Sequence, residues 1–264
     1  MNRIEKRFAE LKEAGEKGFV AYIGTGDPDL QATENLAIEF TDAGVDVLEL
    51  GVPFSDPLAD GVVNQLAAQR GLASGTTPTK VLQCVSAIRK RSEVPIVLYI
   101  YYNLLHQRGV QDFIQEAAAA GVDGLLALDL PPEEADDYEK FMKDAGLCSI
   151  WLVAPTSPEE RISAIVKRGS GFIYYISREG VTGMQQSMSE SIASRTALIR
   201  KYTDLPIAIG FGISNPEQAR QVAESGDAIV VGSAIVNQIA EQGKGPDLAP
   251  NLGAYVRSLV TAIR

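Results

Sequence analysis

Carboxylates crowd one short stretch of this chain, Glu49-Leu50-Gly51-Val52-Pro53-Phe54-Ser55-Asp56-Pro57-Leu58-Ala59-Asp60-Gly61. Glu49 is the odd one, because it lies in a run, Val45-Asp46-Val47-Leu48-Glu49-Leu50, that reads as a strand flowing into a loop. A carboxylate there faces desolvation, which costs free energy unless the group is paired or its pKa rises. Side chains alternate along a strand, so Val47, Glu49 and Gly51 share one face while Leu48 and Leu50 share the other. Asp60, on a Gly- and Pro-rich loop, is expected to be better solvated and to stay ionised. Two acids whose environments push their pKa values apart are what general acid–base chemistry near neutral pH requires. The plainer readings are a buried structural Glu49 paired with a basic group, and an Asp60 that only shapes a surface turn.

Other chemistries find little material. His106 is the single histidine, in Asn103-Leu104-Leu105-His106-Gln107-Arg108-Gly109, and reads as part of a surface connection or helix start. That disfavours a Ser/His/Asp triad and a His-based metal site, and no metal is expected. No strand end carries the Lys that a Schiff-base aldolase needs. Cys84 and Cys148 read as small buried hydrophobes, too few for a disulfide framework, which makes a reducing cytoplasm the expected setting. Twenty-four basic against 34 acidic residues, net charge −10 with no basic cluster, weigh against nucleic acid and anionic membrane as partners. No apolar run approaches the ~20 residues that span a bilayer. Met1 to Lys17 reads as a charged amphipathic helix with Ile4, Phe8 and Leu11 on one side, unlike a signal or transit peptide.

Phosphate is a different matter, since backbone N–H groups bind it without Lys or Arg. Ile209-Gly210-Phe211-Gly212-Ile213-Ser214 and Val231-Gly232-Ser233-Ala234-Ile235 each follow an apolar strand, and the second opens a short helix. Glycines let a ligand approach the backbone, and the helix N-terminus offers donors and a positive dipole end. Tight turns alone are the plainer reading. Ser177-Arg178-Glu179-Gly180-Val181-Thr182-Gly183-Met184-Gln185-Gln186-Ser187-Met188-Ser189 is long for a strand-to-helix connection and reads as a lid or as a surface loop.

The elements that must position these groups repeat. Strand-like runs recur at Phe19–Ile23, Val47–Leu50, Ile96–Ile100, Leu125–Leu128, Ser149–Val153, Phe172–Ile176, Ile207–Ile209 and Ala228–Val231, with helical periods between them. Ser157-Pro158-Glu159-Glu160 offers a capping Ser, Pro at the first helical position and a Glu to close the box; Asn215-Pro216-Glu217 repeats the cap-then-Pro device. Ala43-Gly44-Val45-Asp46 and Ala120-Gly121-Val122-Asp123, with Ser225-Gly226-Asp227, each stop a helix at Gly and start a strand. Eight strand–helix units predict one (β/α)8 TIM barrel over residues 1–264 with an extra N-terminal helix. Active sites in such barrels lie where strands run into the following loops, which puts Glu49 inside the upper mouth, with Tyr22, Tyr99, Leu126 and Tyr174 as an apolar, aromatic pocket around it. Loops after the last two strands are the usual phosphate position.

In this order, the pieces resemble the alpha subunit of tryptophan synthase across essentially the whole chain. Residues 49–61 look like that family's signature, supported by Gly26-Asp27-Pro28, Asp129-Leu130-Pro131-Pro132-Glu133-Glu134, Ser177-Arg178-Glu179-Gly180-Val181-Thr182-Gly183 and Gly210-Phe211-Gly212-Ile213. The resemblance implies retro-aldol cleavage of indole-3-glycerol phosphate to indole and D-glyceraldehyde 3-phosphate, with Glu49 and Asp60 as the catalytic pair. It places Tyr22, Tyr99, Leu126 and Tyr174 at the indole, and Gly183, Phe211, Gly212, Gly232 and Ser233 at the phosphate. Thr182 matches a residue that helps order Asp60. It also implies an alpha2beta2 heterotetramer in which Asp56, Pro57 and the loop around Asn103 face the beta subunit. Pyridoxal phosphate is then held by that partner, and this chain needs no cofactor. One departure stands out: members commonly read Asp-Gly-Pro where this chain has Asp60-Gly61-Val62. Without the ring that fixes φ, the loop is expected to be looser in the free subunit. A free-standing lyase, another phosphosugar barrel such as an isomerase, and a non-catalytic activating subunit are the alternatives.

Overall fold

A computed structural model describes residues 1–176 and 185–264, with residues 185–190 described by their backbone only. Nine strands are found among the described residues: β1 (Gly18–Gly24), β2 (Val47–Gly51), β3 (Ile96–Ile100), β4 (Gly124–Ala127), β5 (Cys148–Ser149), β6 (Trp151–Val153), β7 (Ile173–Ile176), β8 (Ile207–Gly210) and β9 (Ala228–Val231). They pair in parallel in the order β5-β4-β3-β2-β1-β9-β8-β7-β6. The two outermost strands, β5 and β6, are consecutive in the chain, separated by Ile150, whose N–H donates to Leu125 O at 2.9 Å. The run expected as one strand therefore pairs with β4 through its first half and with β7 through its second. That switch of partner closes the sheet into a barrel and splits the strand in two.

Burial follows the predicted alternation. Leu48, Leu50, Leu98 and Ile100 face the surrounding helices in the main core, whereas Val20, Val47, Val97, Leu126, Ile150 and Phe172 fill the barrel interior. The interior is open at the N-terminal end of the strands, and the extra helix Arg3–Ala14 closes it with Ile4, Phe8 and Leu11. Phe8 meets Phe172 with ring centroids 5.5 Å apart. We expect Phe8→Ala to lower the unfolding free energy by ~3–5 kcal/mol, as for other large aromatic deletions in cores. Urea denaturation checks this, and a loss below about 1 kcal/mol would show that the helix is not part of the core.

The echo among the helix stops has a physical basis. Asp46 and Asp123 are buried, and each accepts a backbone N–H near the start of the preceding strand, from Phe19 at 2.7 Å and Ile96 at 2.8 Å. Asp227 does the same for Ile207 at 2.8 Å. Arginines neutralise them: Arg7 and Arg264 on Asp46, Arg3 and Arg89 on Asp123, Arg200 on Asp227. Gly44 and Gly121 end their helices at φ +93° and +97°, as expected of left-handed caps. Gly226 departs from that reading, since its helix is capped at Glu224; a Cβ there would lie 2.6 Å from Ile209 Cδ1, so close packing is what requires glycine.

Ser157 is also a correction. Its Oγ accepts Ala154 N–H at 3.2 Å instead of capping, and Pro158 itself takes the cap position before helix Glu159–Arg168. Asn215 caps as expected, accepting Gln218 N–H at 3.0 Å. No described helix is long and apolar enough to cross a membrane.

Candidate active site

A cavity of about 300 Å³ opens where the strands end, and Glu49 lines it. Glu49 is only 1% exposed, and neither carboxylate oxygen has a hydrogen-bond partner among the described residues. Its neighbour across β1 is Tyr22 and across β3 is Val97, so no basic group reaches it through the sheet. Burial, and secondarily the nearby charge of Asp60, push its carboxyl up to about 8. Among the described residues, then, no basic group pairs with Glu49. A proton-carrying carboxyl at neutral pH, aimed into a cavity, is the arrangement expected of a general acid.

Asp60 reaches the same cavity from the loop before helix Val62–Ala73. It is half-buried rather than simply solvated, and its two carboxylate oxygens accept from Tyr99 Oη at 2.6 Å and Tyr101 Oη at 2.9 Å. Val62 stands first in that helix where a Pro is common, and Gln65 Nε2 donates back to Asp60 O at 2.9 Å. Tyr101 was not among the residues expected from sequence. The signal was there, because Tyr99 and Tyr101 are two apart and so share a face, but β3 ends at Ile100 and the pattern ran past it.

Tyr22, Tyr99 and Tyr174 line this cavity. Tyr22 and Tyr174 are buried beside Tyr99, and Tyr22 meets Tyr99 edge-on with centroids 5.1 Å apart. Burial pushes all three phenols well above their usual range, so they remain neutral donors. Gly51 makes the room: a Cβ there would lie 2.4 Å from Tyr22 Oη. Leu126 pairs with Tyr99 across the β3–β4 register but is 1% exposed and is not among the residues that line the cavity. Leu152, Ile176, Ile213 and Val230 complete the apolar wall, and Asn64 adds a buried, unbonded side-chain oxygen. Apart from Ile213, which lies in the glycine-rich stretch already singled out, none of these was anticipated, since a cavity wall is set by where strands end rather than by residue type.

Phe211, Gly212, Gly232 and Ser233 also line the cavity, Gly232 against the Tyr22 side chain. Gly212 takes φ +56° with open space around its Cβ position, so its backbone is approachable. Ser233 begins helix Ser233–Gln242, whose first-turn N–H groups lack intrahelical partners and suit an anion. Gly183 and Thr182 lie outside the described residues. The expected lid also shortens at one end, because a helix begins at Gln185 and takes in residues 185–189.

Outside the cavity, His106 is exposed on helix Tyr102–Arg108, and both cysteines are buried with thiols pushed up to about 12, so neither supplies a nucleophile. No cluster of potential metal ligands is found among the described residues. Asp56 and Asn103 are exposed and Pro57 is half-buried beside Leu58, which is 91% exposed.

The family model described as tryptophan synthase alpha chain matches residues 8–256. The tryptophan synthase alpha chain of Opitutus terrae is 49% identical, with all of both chains covered, and that of Geotalea daltonii is 48% identical over all of this chain and 99% of the relative. Among solved structures, subunit alpha from Legionella pneumophila superposes with a TM-score of 0.91 at 38% identity, over all of this chain and 98% of that one. Tryptophan synthase from M. tuberculosis gives 0.89 at 30% identity, over 99% of this chain and 98% of that one. A barrel whose mouth brings buried Glu49 and hydrogen-bonded Asp60 to one cavity, together with this likeness along its whole length, leaves one assignment: the chain belongs to the tryptophan synthase alpha chain family, the lyases that cleave indole-3-glycerol phosphate.

Proposed function

We propose that Glu49 and Asp60 carry out the family's retro-aldol cleavage in this chain, with the indole ring between Tyr22, Tyr99 and Tyr174 and the phosphate on Gly212, Gly232 and Ser233. Gly183 and Thr182 join the phosphate and Asp60 sides of the site in the same reading. The observation that carries it is Glu49, buried, unpaired and raised to about 8 opposite a hydrogen-bonded Asp60.

Indole is a poor leaving group until its C3 is protonated. Glu49 donates its proton to C3, which turns the ring into an electron sink with positive charge centred on the nitrogen. Asp60 lies near the indole N–H and stabilises that charge as a fixed anion in a water-poor site. The C3–glycerol bond then breaks, its electrons neutralise the ring, and the ionised Glu49 takes the proton from the glycerol hydroxyl as the aldehyde forms. Neutral indole leaves, glyceraldehyde 3-phosphate remains on the phosphate loops, and Glu49 again holds its proton. This chain supplies the whole cycle with two carboxylates and needs no cofactor for it.

Members of the family work with a beta subunit in a tetramer. We place that partner against Asp56, Pro57 and Asn103; the exposure of Asp56 and Asn103, and of the apolar Leu58 and Val62 on the Asp56–Asp60 side, supports the proposal. Pyridoxal phosphate belongs to the beta subunit, which joins indole to serine. Partner contact at this face would order the Asp60 loop and so couple the two sites. Indole release from indole-3-glycerol phosphate by the purified chain, with and without a beta subunit, tests this. We expect low release alone and a large rise with the partner. Strong release alone would favour a free-standing lyase, and none in either condition a non-catalytic subunit.

A further inference from the structure

The loop that carries Asp60 is tied at its backbone by Asp60 N–H on Pro57 O at 3.0 Å and by Gln65 on Asp60 O. Neither tie orients the carboxylate. The two phenols that do so have different reach. Tyr101 Oη accepts Ala59 N–H at 3.0 Å while donating to Asp60 Oδ2, and its ring packs on Phe54 with centroids 5.1 Å apart. It fastens loop and carboxylate together. Tyr99 instead projects from β3 into the cavity and meets the carboxylate at Oδ1, through the shorter contact of 2.6 Å.

Tyr99 is also held at its ring. It sits level with Gly51 in the β2–β3 register, and the missing side chain at Gly51 lets the Tyr22 ring lie over that position, edge-on to Tyr99. A phenol wedged on a strand has little rotamer freedom left, whereas a carboxylate on a Gly- and Pro-rich loop has much. The fixed partner sets the orientation of the free one. Charge works in the same direction. Among the described residues, the groups facing Asp60 are the phenols of Tyr22, Tyr99, Tyr101 and Tyr174 and the carboxyl of Glu49. The described wall holds no Lys, Arg or His. Hydroxyl dipoles therefore take the place of a cation beside Asp60, and charge-assisted bonds of this kind are about twice as strong as neutral ones.

We infer that Tyr99 is a positioning residue for the reaction, its hydroxyl aiming the Asp60 carboxylate at the indole nitrogen, in addition to its ring forming part of the indole wall. This rests on the reading of Asp60 as the group that stabilises charge on that nitrogen. It assigns the two phenols separate tasks: Tyr101 holds the loop closed over the site, and Tyr99 sets where the charge points.

Tyr99→Phe removes one oxygen and keeps the ring, so the indole wall and the fold are retained. With a beta subunit present, we expect kcat for indole release to fall about tenfold and KM to stay within about twofold, because the carboxylate is used in the transition state rather than in substrate binding. In an Asp60→Asn background the same change should cost nothing further. A loss of equal size in both backgrounds would overturn the inference, as would wild-type kcat in Tyr99→Phe. A crystal structure of Tyr99→Phe gives a readout independent of turnover: the Asp60 carboxylate should leave its wild-type rotamer, and an unchanged carboxylate also overturns the inference. If the wild-type complex releases no indole, the lyase reading fails instead, and the crystallographic comparison still decides the orienting role of Tyr99.

Discussion

Glu49→Gln is expected to lower kcat for indole release by ~10³-fold or more, near the upper range of general acid–base contributions, while substrate binding stays nearly intact. Gln keeps the shape of the side chain and loses the proton that C3 must receive. Single-turnover assays beside equilibrium binding of a substrate analogue separate the two quantities; near-normal turnover would falsify the mechanism. In the wild type, turnover by the same carboxyl should decline as pH rises through about 8, where Glu49 loses that proton.

The same group makes a stability prediction of defined sign. The folded state keeps the Glu49 proton up to about pH 8, whereas an unfolded chain releases it near 4.5. Within that window the folded state binds the extra proton, so stability falls as pH rises and the loss is complete above the folded value. Glu49→Gln cannot ionise, and at pH 9 it should be more stable than wild type by on the order of a few kcal/mol. At pH 4 the difference should vanish. Thermal melts at the two pH values would show it, and a Gln variant less stable than wild type at pH 9 would mean that Glu49 has a partner after all. A site that destabilises its own fold is common where buried acids serve chemistry rather than packing.

Asp60→Asn is expected to cost ~10²–10³-fold in kcat, the size seen when one preorganised electrostatic contact is removed from a transition state. The amide keeps the volume and removes the negative charge. It also turns an N–H₂ group toward Tyr99 or Tyr101, both of which donate to the carboxylate in the native site. KM should change little, since positive charge at the indole nitrogen builds only as C3 is protonated. If the variant merely changed affinity, the electrostatic role would be wrong and Asp60 would be a binding group.

How much of this was readable before the fold is best seen at single residues. Glu49 was legible because a carboxylate between Leu48 and Leu50 violates the chemistry of its strand, and period-two alternation alone sent it inward. The helix plug by Ile4, Phe8 and Leu11 was legible from helical spacing, though its target, the open end of the barrel, was not. Leu126 shows the limit of alternation: it faces inward and pairs with Tyr99, but alternation alone does not say which inward side chains reach the cavity, because barrel strands are tilted and staggered. Tyr101, Asn64 and Leu152 were not foreseen, because their presence at the cavity depends on where strands stop and how the Asp60 loop returns. Ser157 and Gly226 carried the right residue types for a cap and a helix stop and do other work, bonding Ala154 N–H and making space for Ile209.

The stretch from Glu49 to Gly61 divides along the same line. Sequence by itself determined the barrel class, the inward acid, and the second acid on a turn-rich loop, since each follows from local periodicity and the cost of burying charge. Only tertiary structure decided that no base among the described residues reaches Glu49, that two phenols at the end of β3 hold Asp60, and that both acids share one cavity with the Gly212 and Gly232 loops. Those facts depend on groups distant in the chain meeting across a closed sheet, and local propensity contains no distance of that kind.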